Sequence, residues 1–524
     1  MTIKSYEEYV LGLYGAMFVD IVTRCPELRI ECERDYKRLL SAVETMGLPF
    51  IWQVLPAFGK HFDQCLANGH LTRSELAHFR PFKKGVAIPR LFKGMLRRVF
   101  DDCGVLRSDP DVESIRFVRQ LSSAFKRFKV DCPEPMIWEQ TNEFFKIDDE
   151  VIHGSLDWDG DDFSSNDAHN LQFGDYVSLE PDDSELFGDR ESSVPPSISA
   201  DHACAIQFVA DVIGAEIGRF KPDDWKARHG PGAVADARRD NYKYNFPTWP
   251  ARLERAFPLA RFAFANYGLW AAYAALGETS EGFLLHEPPA RLLAVPKTYA
   301  GPRLICSEPT SNQWCQQVIR DFLMSRVAST SISASIKFDD QSQNQKLALE
   351  ASHRETHSTI DLSSASDRIS CWLVERLFRY DPVLLESMYS VRTRWITQDL
   401  DLKSPRFAKL RKFSTMGSAL TFPVQTYLFA TIAIGTLLYE RGLPLTIFNI
   451  KKASREVRVF GDDIIVPLDV HDNVVAALTH FRLKVNSQKT FATGKFRESF
   501  GMDAYDGNDV TKVSILCKPS VSKP

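Results

Sequence analysis

The chain has 524 residues, a net charge of −4, 44% hydrophobic residues and 25% charged residues. That balance belongs to an ordinary folded protein and excludes disorder, collagen or coiled coil as the main architecture. The length suits roughly three or four structural units, or one large multi-lobed enzyme.

Charge is unevenly spread along the chain. Asp148–Glu191 holds 15 acids and one base, Arg190, which leaves the rest at about +10. A basic body with one acidic block fits a protein that binds a polyanion; the plain alternative is a solvated acidic loop. The 10 cysteines are scattered with no CxxC pair, which argues against zinc-ribbon or thioredoxin chemistry and suits a reducing compartment. Glu7 and Glu8 fall where a signal peptide needs an apolar run.

In chain order, residues 1–147 read as a mostly helical region. Within it Arg80–Arg98 carries seven bases and no acids, either an RNA-contacting surface or a solvated face. Residues 148–200 read as an acidic loop or insertion. Asp157, Asp159, Asp161 and Asp162 imitate a calcium loop, but Gly160 stands too early and Ala168 replaces the bidentate Glu. From residue 201 a mixed α/β pattern begins. Asp201–Phe220 and Pro250–Leu276 predict apolar helices, with a Gly/Pro turn at Arg228–Val234 between them. Arg291–Ile305 predicts two short strands about a turn, Thr359–Leu362 a strand and Ser370–Arg379 a helix. Leu420–Tyr439 is uncharged and long enough to span a membrane. Thr421, Pro423, Gln425, Thr426 and Thr431 favour a buried helix, and no membrane anchor is expected.

Three motifs carry chemistry. In VRVFGDDIIVP, two apolar strand halves flank Gly461-Asp462, a type II′ hairpin signal. Asp462 would sit at the tip with Asp463 beside it. A bare Gly-Asp-Asp occurs by chance in about one chain in ten of this length; buried flanking strands sharpen it, because two adjacent acids there repel unless a cation neutralises them. In STIDLSSASDRIS, Asp361 ends a short strand and Asp367 follows on a Ser-rich turn. A third carboxylate on a neighbouring strand would complete a two-metal site for in-line displacement, and oxygen ligands suit magnesium. In STMGSALTFPVQTYLFA, Gly417, Thr421 and Gln425 recur at a spacing of four on one face at the start of a helix, within reach of a sugar hydroxyl. Each has a plain alternative: a solvated hairpin tip, a helix N-cap and a glycine-initiated core helix.

The order of the three motifs resembles the palm domain of template-directed polymerases, with motif A at Asp361 and Asp367, motif B at Gly417–Gln425 and motif C at Gly461–Asp463. AVPKTYAGPRLICSEP, FDDQSQNQKLALEAS, IDLSSASDRIS, FGDDIIVP, NSQKTFATGKFRESFG and DGNDVT resemble one family more closely: the replicase subunit of positive-strand RNA bacteriophages of the Q-beta type. RHGPGAV is similar to a further family stretch. The resemblance covers residues 225–515. Phe460 departs from the family's usual Tyr, and Gln425 from Asn or Glu.

The resemblance implies an α+β, right-hand polymerase with fingers and palm, a helical N-terminal region and a truncated or reduced thumb. It divides the chain into residues 201–357 for fingers and the start of the palm, 358–505 for the palm with motifs A to E, and 506–524 for the start of a truncated thumb or tail. It implies Mg²⁺ on Asp361, Asp462 and Asp463. It also implies that Lys297 and Arg303 bind the nucleotide triphosphate, that Asp367, Gly417, Thr421 and Gln425 contact the nucleotide, that Lys489 protonates the pyrophosphate leaving group, and that Phe496–Gly501 forms a hairpin gripping the product strand. The implied function is RNA-dependent RNA polymerase, copying a phage genome from ribonucleoside triphosphates in the host bacterial cytoplasm, with RNA template and product as partners. Elongation factors Tu and Ts and ribosomal protein S1 are the host factors of the family's best-known members, and a chain this short past Gly501 is expected to be weakly active without them. The alternatives are a reverse transcriptase, disfavoured by Gly461 and the Ser/Ala turn before Asp367, a narnavirus- or mitovirus-like replicase, and a non-catalytic RNA-binding polymerase remnant.

Overall fold

The computed structural model describes residues 3–158, 160, 163–176, 197–236, 243–244, 246, 248–264, 268, 271–272, 275 and 287–518. Most of the acidic block beyond Tyr176, the calcium-like Asp159, Asp161 and Asp162, and most of 265–286 lie outside the described residues.

The N-terminal region is helical as its spacing predicts, with helices Ile3–Arg24, Arg29–Met46, Leu55–Asn68, Lys93–Val99, Val112–Ser123 and Glu134–Glu150. Val10, Tyr14, Phe18 and Ile21 recur every three or four residues and are all buried, the stripe by which the first helix docks. The first five of these helices share one apolar core with Phe491, Phe496, Tyr505 and Val510 from the far end of the chain, whereas Phe144 of the sixth packs with Leu292 and Ile396. Across that junction the fully buried Arg119 pairs with Asp63 at 2.7 Å and Asp503 at 2.9 Å. Chain from Val513 to Leu516 runs back along the same helices, with Ile515 N–H donating to the Ala124 carbonyl at 2.7 Å.

The acidic stretch is not a detached loop where it is described. Asp148 lies within the Glu134–Glu150 helix, and Trp158, Phe163, Ala168 and Phe173 are buried in the main core. Counting acids overlooked the aromatics between them. The Pro250–Leu276 expectation also needs correcting: Pro258 breaks that stretch into short helices Ala251–Ala256 and Leu259–Phe262. Helix Ala200–Ile217 forms as expected, capped by Ser199, whose hydroxyl accepts from His202 N–H. It lies against helix Thr421–Glu440, the one helix among the described residues long and apolar enough to cross a membrane, which is almost wholly buried in this core.

Among the described residues three sheets complete the fold, giving a mixed α+β protein. The strands are β1 (Ala290–Thr298), β2 (Gly301–Ser307), β3 (His357–Ser363), β4 (Trp395–Thr397), β5 (Phe407–Lys409), β6 (Arg458–Phe460), β7 (Asp463–Pro467), β8 (Lys484–Val485), β9 (Phe496–Ser499), β10 (Met502–Tyr505) and β11 (Asn508–Asp509). The central antiparallel sheet has the order β6-β7-β3-β8. Ile360, Ile464 and Val466 are buried within it, with Thr421–Glu440 packed on β6 and β7 and helix Ser342–Arg354 on β3. A second sheet, β2-β1-β4-β5, and the hairpin β9-β10 with β11 flank it. Phe496–Gly501 spans β9 and its turn into β10, the hairpin shape that the resemblance implies.

Candidate active site

The hairpin β6–β7 turns on Gly461 and Asp462. Gly461 has φ +64°, a conformation side chains disfavour. A Cβ there would stand 3.1 Å from Gln425 Nε2. Gly461 N–H donates to Thr426 Oγ1 at 3.0 Å, tying the turn to helix Thr421–Glu440. Phe460 packs edge-to-face on Phe422 with ring centroids 4.8 Å apart. A phenol hydroxyl is therefore not needed to seat the strand. Asp462 is left exposed at the tip. Asp463 opens β7 directly opposite Asp361 of β3. Residues paired across antiparallel strands have Cα atoms about 5 Å apart, so both carboxylates and the tip converge on one end of the sheet.

Asp361 is held from two sides. Asn486 Nδ2 donates to Oδ2 at 2.8 Å, and the Lys489 ammonium stands 3.2 Å from Oδ1. Burial raises the Asp361 pKa, with Lys489 opposing and Asp462 adding to the rise. Asp463 is pushed up to about 7, by burial first and then by the charges of Asp462 and Asp361. For Lys489, burial works downward, but Glu498 and Asp361 carry its pKa above the ordinary value. Asp361 and Asp463 are thus crowded, and Lys489 relieves them only in part. An all-oxygen donor set under mutual repulsion fits a hard divalent cation. Among the described residues, no three His, Cys, Asp or Glu side chains already converge as a metal cage; the Lys489 ammonium supplies the neighbouring positive charge. Sequence reasoning picked Lys489 from NSQKTF but passed over Asn486 in the same run.

The second motif departs from its expected placement. The helix begins at Thr421, so Gly417 lies in the preceding loop and not on the helical face. Its φ is +141°, and a Cβ would fall 1.9 Å from the Cys306 carbonyl oxygen. The glycine is needed because the loop presses on β2, where Cys306 N–H donates to the Met416 carbonyl at 2.7 Å. Thr421 is engaged within the loop: its hydroxyl donates to the Thr415 carbonyl at 2.7 Å and lies 2.8 Å from Ser414 Oγ. The buried Gln425 Oε1 has no hydrogen-bond partner among the described residues, a free acceptor behind the hairpin tip.

Asp367 sits on the 3₁₀ turn Ala365–Arg368 after β3. Its Oδ1 is 3.2 Å from the ammonium of Lys412, a lysine with no exposed surface. That ammonium lies 3.5 Å above the Phe144 ring, with Asp148 Oδ1 at 3.9 Å. Asp148 in turn accepts the backbone N–H groups of Arg411 and Lys412. Nothing local in the sequence marks Lys412 as the partner of Asp367.

Lys297 and Arg303 lie on β1 and β2, which form the expected pair of strands, and both side chains are exposed. Loss of hydration and the neighbouring charges of Arg303 and Lys489 lower the Lys297 pKa to about 8, while Asp462 acts the other way. The Lys297 ammonium thus lies within electrostatic range of both Asp462 and Lys489.

The molecule is a mixed helix-and-sheet protein with a carboxylate cluster at the end of a central antiparallel sheet. Residues 199–521 match the family described as RNA replicase, beta-chain, and the chain belongs to that family. The RNA-directed RNA polymerase beta chains of Enterobacteria phage fr and Escherichia phage MS2 are 32% and 33% identical to it over 228 residues, covering 44% of this chain and 38% of theirs. The RNA-directed RNA polymerase subunit beta of Escherichia virus Qbeta is 32% identical over 232 residues, 43% of this chain and 35% of that protein. The aligned portion is therefore well under half the length of these relatives. The structure titled "In situ structure of BmCPV RNA-dependent RNA polymerase at elongation state" is 10% identical with a TM-score of 0.46, over 92% of this chain and 42% of that one, a likeness too loose to carry an argument.

Proposed function

We propose that the chain is the catalytic portion of an RNA-directed RNA polymerase that copies a positive-strand RNA phage genome inside an infected bacterium. In this reading β3, β6 and β7 form the palm, and β1 and β2 belong to the fingers. The observation that carries it is the in-register pairing of Asp361 with Asp463, with Asp462 at the adjoining turn and Lys489 on Asp361.

Asp361, Asp462 and Asp463 would hold Mg²⁺, which when bound supplies activation of the 3′-hydroxyl and charge neutralisation at the leaving oxygen. The remaining work falls to the chain itself. Asn486 and Lys489 fix the Asp361 carboxylate on both oxygens. Lys489 stays protonated and stands ready to donate a proton to the departing pyrophosphate. Lys297 and Arg303 line the opposite wall as cationic contacts for the triphosphate. Asp367, anchored by Lys412, is placed as a hydrogen-bond acceptor for the ribose 2′-hydroxyl, and Gln425 Oε1 offers a second acceptor. Gly417 and Thr421 act through the loop that seats this helix. Host factors such as elongation factors Tu and Ts and ribosomal protein S1 belong to the same proposal, as partners of the full replicase.

The test is primed incorporation of labelled ribonucleotide with Mg²⁺. Asp361→Asn and Asp462→Asn should each remove nearly all synthesis while the thermal midpoint stays near that of the parent. Near-normal incorporation by either variant rejects these carboxylates as the catalytic site, and a parent chain that incorporates nothing with Mg²⁺ favours a non-catalytic RNA-binding role.

A further inference from the structure

The basic run Arg80–Arg98 divides into two halves once the chain is folded. In the C-terminal half the charges are consumed internally. Lys93 pairs with Glu31 at 3.3 Å, Arg97 with Asp102 at 2.8 Å, and Arg98 with Glu27 at 2.6 Å and Asp111 at 2.9 Å. In the N-terminal half they are not. Arg80, Lys83, Lys84 and Arg90 make no ion pair among the described residues, and neither does Arg73 on the same loop. All five are exposed.

These five side chains do not point outward at random. They line one open cleft of about 980 Å³ between the loop from Arg73 to Leu91 and helix Arg29–Met46. No carboxylate lines it among the described residues. Two nearby acids are already spent: Asp35 on Arg38 at 2.7 Å and Asp102 on Arg97. The loop bends around the cleft with a positive φ at Gly85, which glycine adopts freely, and with φ +65° at His78, a conformation a side chain disfavours. Strain of this kind, held by the surrounding fold, clusters at binding sites. Five like charges around one concavity repel, and a bound polyanion would relieve that cost.

We propose that this cleft binds the phosphodiester backbone of single-stranded RNA, outside the carboxylate site. The proposal rests on the polymerase reading only in taking RNA as the polyanion. Single-stranded RNA fits better than a duplex because the charges face inward across a concave space, as in grooves that track one strand. Arginine and lysine together supply forked and point contacts to phosphate. Between them Ser41, Ala77, Gly85 and Ala87 leave the floor open for sugars and bases. Such contacts are independent of sequence and weaken with salt.

The experiment compares the full chain with the triple variant Arg73→Ala/Lys83→Ala/Lys84→Ala and with the control Arg97→Ala/Arg98→Ala. The probe is a fluorescently labelled single-stranded oligouridylate, titrated over a salt series. Each lost phosphate contact on a single strand lowers the log–log salt slope by about 0.7, so the triple variant should lose about 2 units and bind about a hundredfold more weakly at about 0.1 M salt. The control should keep the parent's slope, and both proteins should keep primed incorporation on a short template. A triple variant with unchanged slope and affinity overturns the proposal, as does a control that loses as much. Equal affinity for poly-glutamate, or stronger binding of duplex RNA, also overturns it. If the parent makes no RNA but the triple variant still loses the slope, the cleft stands and the polymerase reading falls.

Discussion

Lys412→Met should destabilise the protein by about 3 kcal/mol, although Lys412 touches no solvent and Met nearly preserves its volume. The lost group is the ammonium, not the stem. It stands 3.2 Å from Asp367 and 3.9 Å from Asp148, and it donates to the Phe144 carbonyl at 3.3 Å. Breaking a buried pair by removing one partner typically costs about 3–5 kcal/mol, because the other charge stays buried alone. Two features favour the lower end. The Asp148 carboxylate keeps its two backbone donors at 2.9 and 3.0 Å, and the Asp367 side chain is 19% exposed, so water screens part of its charge. With an unfolding entropy of about 2.1 cal/mol/K per residue, a global transition would shift by about 3 °C, and a smaller cooperative unit by more. Differential scanning calorimetry reads the shift. The decisive comparison is Lys412→Met/Asp367→Asn, which removes the stranded charge as well and should recover about half of the loss. A single variant as stable as the parent, or a double variant with no recovery, would refute the idea that Lys412 exists to neutralise these carboxylates.

Three further outcomes follow from the site. Asp367→Ala should narrow the preference for ribonucleotides over deoxyribonucleotides, because an acceptor that deoxyribose leaves unpaired costs about 1–3 kcal/mol; an unchanged discrimination ratio in competition assays returns Asp367 to a structural role. Arg303→Ala should raise the nucleotide KM more than it weakens RNA affinity, and a collapse of RNA binding at constant KM would make it a template contact. Asn486→Leu removes the 2.8 Å donor to Asp361 and should cost about 1–3 kcal/mol at that carboxylate, seen as a lower kcat with little change in nucleotide KM; parental kcat would show that Lys489 alone orients Asp361.

Much of the fold was legible because it is written in local periodicity. The buried stripe Val10, Tyr14, Phe18 and Ile21 announces its helix, and the apolar halves around Gly461 announce their hairpin. Composition misled where it averaged over alternation. The acidic block from Asp148 looked like a loop, yet Trp158, Phe163 and Phe173 thread it into the core, and the Glu375 carboxylate accepts the N–H groups of Ser155 and Leu156 at 2.9 Å each. Pro250–Leu276 looked like one helix because its apolar content was weighed ahead of Pro258.

The site itself separates along the same line. What a carboxylate is can be read from its own neighbours in sequence: Asp361 at a strand end, Asp462 on a two-residue turn. What holds it cannot. Asn486 and Lys489 reach Asp361 across 125 and 128 residues, and Lys412 reaches Asp367 across 45. The register of β3 against β8 decides the first two meetings, and the bridge between Ser370 and Lys412 the third. The same holds for the basic run, whose seven charges look equivalent in sequence. Ion partners at Glu27, Glu31 and Asp111 come from other helices or their approaches, and they silence one half while leaving the other open. A charge in sequence therefore fixes the kind of chemistry available, and its tertiary partners decide whether that chemistry is spent on folding or left for a ligand.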